Sequence, residues 1–394
     1  MKCVGIVGAG FAGRFHFECW RRIHSVPAHV VGVMDQSFEV AERFAGARGI
    51  KAFPSFDELL EQVDIVDICS PPYAHEGQIV SAARMGKDVI VEKPLTGYFG
   101  PEDSADFCAD GVPRGKMLEK ATASLKRIHS AVSASGIVFG YAENFVYAPS
   151  VQKERQIIEK SGAQILRMIG EESHNGSESP VYGIWKYAGG GSLIGKGCHP
   201  LGGLLYFKRI EGMARSGKPI RPAAVSARVH KITRLPGYQD KGFIRTDYHD
   251  VEDYGFMHVV FEDGTVGDVV TSELVLGGIY DWAEVYANNH RARCRVSPTD
   301  LLDMYNPAGK QLQDVYLMEK ISTKEGWVTT APDENWTMGY QPELQDFVEA
   351  IEARQQPQSN LPLAIDTTLT IYASYVSAEG NGVEVSIPVT DFPD

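Results

Sequence analysis

Lys93, in the run Asp88-Val-Ile-Val-Glu-Lys-Pro94, is a cation placed where a buried strand runs out. Ligands of open α/β sheets bind beyond the carboxyl ends of their strands. An ammonium there polarises an oxygen and relays its proton, whereas a lysine in an ordinary turn only meets water. The N-terminus supplies what such a group would work beside. Val4, Ile6 and Val7 form a short apolar run that ends in Gly8-Ala9-Gly10-Phe11-Ala12-Gly13. In a G-x-G-x-x-G between strand and helix, the first glycine permits the tight turn and the second lets backbone approach a pyrophosphate. The third lets the helix pack close to the strand. The helix start then offers unpaired N–H groups to the phosphates. A second apolar run, Val30 to Met34, ends in Asp35. That carboxylate lies about 20 residues past the last glycine, where it would accept hydrogen bonds from an adenosine ribose. These residues predict a dinucleotide site. Gln36 and Ser37 follow Asp35, with no adjacent arginine for a 2′-phosphate, so the expected cofactor is NAD and not NADP.

The elements that must position these groups alternate. After Asp35 a helix over Phe38 to Arg48 leads to Lys51-Ala52-Phe53, and Ser55 caps a helix through Gln62. Ile65 to Cys69 is a strand ending at Ser70-Pro71-Pro72, followed by a helix from Glu76 to Met85 and a strand from Asp88 to Val91. Such alternation predicts an α/β fold with a doubly wound parallel sheet and right-handed crossovers. Gly97 to Lys116, rich in Gly, Pro, Asp and Ser, reads as an inserted surface loop. A helix from Met117 to Ser135 and a strand from Ile137 to Tyr141 complete a first domain over 1–145. The remainder, 146–394, is expected to be a second α/β domain with a large, mainly antiparallel sheet. Its strands begin at Ile165, Ala224, Gly255 and Val266, with an Asp263-Gly264 hairpin turn before the last. One helix is expected from Gly197 to Arg209, another from Pro342 to Ala353 and a last from Ile365 to Gly380.

A chain of 394 residues is long for one core. Its 38 basic and 51 acidic residues leave a net charge of −13, which excludes nucleic acid and anionic membrane surfaces as partners. The six cysteines show no paired spacing and read as reduced thiols. The opening strand leaves no room for a signal peptide, and no apolar stretch spans a bilayer, so a cytoplasmic protein is expected.

Taken in order, the motifs resemble the Gfo/Idh/MocA family of oxidoreductases over nearly the whole chain. They are Gly8-x-Gly10-x-x-Gly13-x-x-His16, Pro71 with His75, Glu92-Lys93-Pro94, Gly189-Gly190-Gly191 with Gly197-Cys198-His199, and Glu343-Leu-x-x-Phe347. The resemblance implies a Rossmann domain, then an α/β domain whose open sheet makes homo-oligomer contacts. It implies hydride exchange between a nicotinamide cofactor and a secondary hydroxyl of a sugar, polyol or glycoside. It also implies cofactor contacts from Gly8, Gly10, Phe11, Ala12, Gly13, Asp35, Ser70, Pro71, His75, Glu92 and Lys93.

A carbinol carbon releases hydride only as its hydroxyl loses a proton, so the site needs a base and a cation near the oxygen. Lys93 is the cation, aimed by a cis bond to Pro94. His199, with an unperturbed pKa of about 6.5, is the base by the family match. Relatives carry an aspartate four residues before this histidine and another acid three after it, where this chain has Gly195 and Gly202. Lys196 beside the gap reads either as a second cation that depresses the pKa of Lys93, or as a lysine that points to solvent or pairs with Glu172 and helps the loop pack. Asn144, Tyr147 and Glu172 complete the expected sugar pocket with Lys93, Lys196 and His199. Tyr147 fits equally as packing between domains, and His75 as a helix cap. Histidines 174, 199, 249 and 258 lack metal-ligand spacing, so no catalytic metal is expected. The insert after Glu-Lys-Pro resembles that of relatives oxidising glycosides at sugar C3. Two rival classes are a redox-neutral glycosidase or isomerase that keeps its NAD, and a non-catalytic regulator that senses the dinucleotide. Retention of Lys93 and His199 argues against the regulator.

Overall fold

The computed structural model describes residues 1–101, 104, 106–321 and 323–388. Strands β1 (Lys2–Val7), β2 (Ala28–Met34), β3 (Lys51–Phe53), β4 (Ile65–Ile68), β5 (Asp88–Glu92) and β6 (Phe139–Ala142) form one parallel sheet in the order β3-β2-β1-β4-β5-β6. Helices α1 (Phe11–Trp20), α2 (Phe38–Gly46), α3 (Phe56–Gln62), α4 (Pro72–Arg84) and α5 (Arg114–Ser135) make the crossovers. Ile65, Val66 and Ile68 of β4 and Val89, Ile90 and Val91 of β5 are wholly buried, as strands covered on both faces must be. The strand order reverses between β1 and β4, and the carboxyl ends of those two strands open a crevice.

The chain continues through α6 (Asn144–Tyr147) and α7 (Pro149–Ser161) to β7 (Ile165–Ser173), α8 (Trp185–Ala188), α9 (Ser192–Gly195) and α10 (Cys198–Ser216). Then come β8 (Pro222–His230), β9 (Tyr254–Phe261), β10 (Val266–Ser272), β11 (Tyr280–Ala287) and β12 (Arg291–Ser297). A two-stranded hairpin, β13 (Leu302–Asn306) with β14 (Gly326–Thr330), precedes α11 (Glu334–Thr337), α12 (Tyr340–Ala353), α13 (Leu361–Glu379) and β15 (Val385–Ser386). The second sheet runs β12-β11-β7-β10-β9-β8-β15. It is mixed: β7 and β10 pair in parallel and the other neighbours are antiparallel. Helix α10 covers one face, with Pro200 and Leu204 against Gly170 of β7. On the other face cross-strand pairs such as Phe256 with Val270 and Val260 with Val266 are only half-buried. Helix α13 packs on α5, β6 and β8 and so ties the two sheets together.

Among the described residues, the segment Gly97–Lys116 is irregular before Arg114 and lies largely at the surface, but it is pinned at Tyr98 and Ala109; Glu102, Asp103 and Ala105 lie outside the described residues. Tyr98 is buried, its N–H donates to the Tyr372 hydroxyl at 2.7 Å, and its carbonyl accepts from the Trp185 indole at 2.9 Å. Ala109 is fully buried and its N–H donates to Asp250 at 2.8 Å. The segment is thus pinned at Tyr98 by Tyr372 of α13 and Trp185 of α8, and at Ala109 by Asp250. Helix α5 accordingly starts at Arg114. All six cysteines are free. Among the described residues no helix is long and apolar enough to cross a membrane.

Candidate active site

Gly8 has φ of +101°, and a Cβ there would lie 2.7 Å from the Cys69 carbonyl oxygen. A Cβ on Gly13 would lie 2.1 Å from the Gly8 oxygen. Both positions are glycine because the turn folds back on itself. A Cβ on Gly10 would meet nothing within 4 Å, so that side of the turn is open space, and α1 begins there with no side-chain cap on its N–H groups. Asp35 is fixed beside the turn, accepting from Ala9 N–H at 2.9 Å and Ser37 N–H at 3.0 Å. An uncapped helix start, room for a diphosphate and an anchored carboxylate together fit a dinucleotide.

A cavity of about 410 Å3 extends from this turn past Ser70 and Pro71 to Glu92, Lys93, Lys196 and His199. Phe11, Ala12, Asn144 and Glu172 also line it. His75 stands behind the wall, its ring nitrogens 2.8 Å from the Ser70 carbonyl and 3.0 Å from that of Pro94. Burial lowers its pKa, and a neutral ring can donate to only one of these carbonyls, the nearer being that of Ser70. Tyr147 lies away from the cavity as well: its hydroxyl donates to Asp346 at 2.7 Å and accepts from Ser359 N–H at 2.9 Å. Gly13 is occupied in packing α1 on β1.

At the far end the Lys93–Pro94 peptide is cis, and the Lys93 ammonium donates to the Gly195 carbonyl at 3.0 Å. Burial alone would lower the Lys93 pKa, but the surrounding Tyr182, Cys198, Glu172 and Glu92 raise it instead. Burial also pushes Tyr182 and Cys198 up, so near neutrality it is the two carboxylates that hold Lys93 as an ammonium. The expected depression by Lys196 does not occur. Lys196 is almost wholly buried and bonded to Glu273 at 2.9 Å and to the Ser177 hydroxyl at 3.0 Å, so its charge is already balanced.

His199 opens α10, with Nδ1 2.5 Å from a Glu143 oxygen and Nε2 3.7 Å from Glu172. Glu143, which sequence reasoning passed over, arrives from the junction of β6 and α6. It fills the volume above Gly202, where a Cβ would lie 3.0 Å from its Cγ. The carboxylate missing at position 202 is thus supplied from another element. The space in front of Gly195 faces the Tyr182 ring, 3.5 Å from a Cβ there. Asp281, directly across the ladder from Glu172, also lines the cavity and was not foreseen, because β11 itself was not. Glu143 at the carboxyl end of a sheet strand carried a usable signal; Asp281 did not. Glu143, Cys198 and His199 bring one potential ligand atom each within 4.8 Å of one another, a cluster that histidine spacing does not reveal. In it Glu143 already engages the imidazole and burial keeps the thiol protonated.

His16 Nδ1 lies 2.9 Å and 3.0 Å from the Asp67 oxygens, and Nε2 lies 3.1 Å from Glu92. Glu92 also accepts the Lys93 N–H at 2.9 Å. Burial pulls the His16 pKa down, yet Asp67 and the groups around it leave it well above the ordinary value. The chain therefore holds a buried imidazolium between two carboxylates just behind Lys93.

The arrangement can cradle a dinucleotide at one end of a cavity and move a proton at the other. Residues 2–108 match the family model GFO_IDH_MocA, described as an oxidoreductase family with an NAD-binding Rossmann fold. A 128-residue stretch is 33% identical to UDP-N-acetylglucosamine 3-dehydrogenase of Acidithiobacillus ferrooxidans, covering 32% of this chain and 38% of that one. A 286-residue stretch is 25% identical to levoglucosan dehydrogenase of Pseudarthrobacter phenanthrenivorans, covering 68% of this chain and 66% of that one. The matched segments thus span less than two thirds of these relatives. In fold, the chain is similar to the crystal structure of GenD2 from gentamicin A biosynthesis in complex with NAD. There the TM-score is 0.77 at 20% identity, over 98% of this chain and 97% of that one. The family resemblance read from the motifs is therefore matched over residues 2–108, which carry β1 to β5, and the two-sheet architecture recurs in that solved structure.

Lys196→Met leaves Glu273 buried without its cation. The loss in stability is expected to be ~3–5 kcal/mol, the cost of breaking a buried pair. Urea unfolding reads it, and a midpoint equal to wild type would show that Lys196 is not held by Glu273.

Proposed function

We propose that this chain, whose residues 2–108 match that NAD-binding oxidoreductase family model, oxidises a secondary hydroxyl of a sugar, polyol or glycoside. The observation that carries the reading is the placing of Lys93 and the His199–Glu143 pair at the closed end of the cavity that begins at the glycine turn. NAD, when bound, supplies the hydride acceptor for that oxidation. The turn Gly8–Gly13 and the start of α1 hold its diphosphate, Asp35 its ribose, and Ser70 and Pro71 wall the crevice. His199 takes the hydroxyl proton at Nε2 while Glu143 accepts from Nδ1, fixing the tautomer and stabilising the imidazolium that forms. Lys93, kept charged by Glu92 and Glu172, donates to the oxygen as negative charge develops on it. Its role is electrophilic, and the base is the histidine. The finer reading is oxidation at sugar C3, supported by the name of the Acidithiobacillus relative.

The open face of the second sheet supports association of copies in a cytoplasmic enzyme. Phe256, Val260, Val270 and Trp282 lie only half-buried there, interspersed with Glu171, His258 and Asp268 on the same face. Light scattering is expected to return a multiple of the 43.3 kDa chain mass, and a monomer at micromolar concentration would remove this part of the reading.

Cofactor choice follows from Asp35. A carboxylate in that place repels a 2′-phosphate, so NAD is expected to bind at least ~tenfold more tightly than NADP, or ~1.4 kcal/mol. Equal affinities in a fluorescence titration would refute it.

Glu143→Gln preserves shape but removes the anion behind His199. It is expected to lower kcat by ~10²–10⁴ with little change in NAD affinity or melting temperature. Sugars and glycosides screened at 340 nm for NADH provide the assay. A variant as fast as wild type would remove His199 and Glu143 from the chemistry.

A further inference from the structure

Glu172 on β7 and Asp281 on β11 are direct partners across an antiparallel ladder. Directly opposed side chains have Cβ atoms ~5 Å apart, and like charges so placed destabilise a sheet. Both residues are buried, at 7% and 2% exposure, and both line the cavity. Each also has an oxygen without a hydrogen-bond partner, Oε2 of Glu172 and Oδ1 of Asp281. An unpartnered buried carboxylate is costly, and two that face each other are more so. No packing requirement explains them, since the same ladder places Gly170 and Ala283 opposite each other two pairs further along, on the same face. Burial raises the pKa of both acids, and the Glu172 charge raises that of Asp281 further, so the pair retains a proton.

The cations nearby are committed elsewhere. Lys196 is paired with Glu273, and Lys320 with Glu178 at 3.1 Å. Lys93 remains for the reacting oxygen. No arginine is among the residues lining the cavity, although a guanidinium fork is the usual means of holding a phosphate monoester.

We infer that the Glu172–Asp281 pair is a sugar-gripping subsite that takes two hydroxyls of an uncharged sugar or cyclitol ring and turns away phosphorylated and acidic sugars. The protonated carboxyl donates to one hydroxyl oxygen, and the ionised one accepts from the next. This rests on the oxidoreductase reading of the same site and names the substrate class it admits.

The test is a panel of neutral sugars, glycosides and cyclitols, each assayed with NAD beside its own phosphate monoester. Neutral compounds are expected to exceed their phosphates in kcat/KM by ~10²-fold or more, as a buried like-charge contact requires. Asp281→Asn is expected to raise KM for the neutral substrate by ~10-fold or more with kcat changed much less, and to narrow the neutral-to-phosphate ratio. It should also raise the melting temperature, because one of two opposed carboxyls is gone. Glu172→Gln provides a second variant with the same expected rise in KM and the same narrowed ratio, its kcat falling as well because Glu172 also holds Lys93 as an ammonium. A phosphate ester used as well as its parent sugar would overturn the subsite while leaving the oxidoreductase reading intact. A variant that loses stability together with affinity would also overturn it. If NAD is reduced with no member of the panel, the oxidoreductase reading falls, and the subsite with it.

Discussion

The buried imidazolium of His16 is the contact on which the rest of the site depends. It joins α1 to the ends of β4 and β5, taking Asp67 on one nitrogen and Glu92 on the other, while the Trp20 indole donates to Asp67 at 2.7 Å. A charge buried this deeply is tolerable only when fully paired, so helix and strand ends have one workable spacing. Fixing that spacing fixes two things together: the helix start that faces the phosphates and the backbone that carries Lys93. Glu92 closes the link, since it bonds both the imidazole and the Lys93 N–H. Cofactor cradle and catalytic cation are in effect parts of one rigid block.

Much of the first sheet was legible because parallel strands buried on both faces leave continuous apolar runs, and β4 and β5 read that way. The glycine turn was legible because each glycine has a steric cause. The second sheet was harder. Strands β11 and β12 carry Glu284, Arg291, Arg293 and Arg295, whose charges broke the apolar signal although period-two alternation is present around Cys294 and Val296. In the site, Lys93 and His199 were readable from strand-end position and motif. Glu143 carried the same strand-end signal but was passed over, whereas Asp281 was not readable, since it meets Glu172 only through tertiary pairing. Lys196 was misread as a free cation because its neutralising partner lies far along the chain at Glu273.

The electrostatics of the cavity run against stability in a consistent way. Glu143 Oε2, Glu172 Oε2 and Asp281 Oδ1 are all buried without hydrogen-bond partners. Burial raises the pKa of Glu172 and Asp281, with Glu143 adding to both shifts and Glu172 to that of Asp281. Acceptors kept idle in the free protein are those that a ring of hydroxyls would satisfy. The second sheet accepts this strain at one end because its remaining strands and α10 form a well-packed apolar body around it.

The carboxylate above Gly202 has moved in the chain without moving in space. An acid on α10 itself would orient His199 through purely local geometry, whatever the rest of the molecule did. Here the orienting oxygen belongs to the end of β6, in the opposite sheet. The base is therefore set only while the two halves are docked, in the manner of a two-key lock.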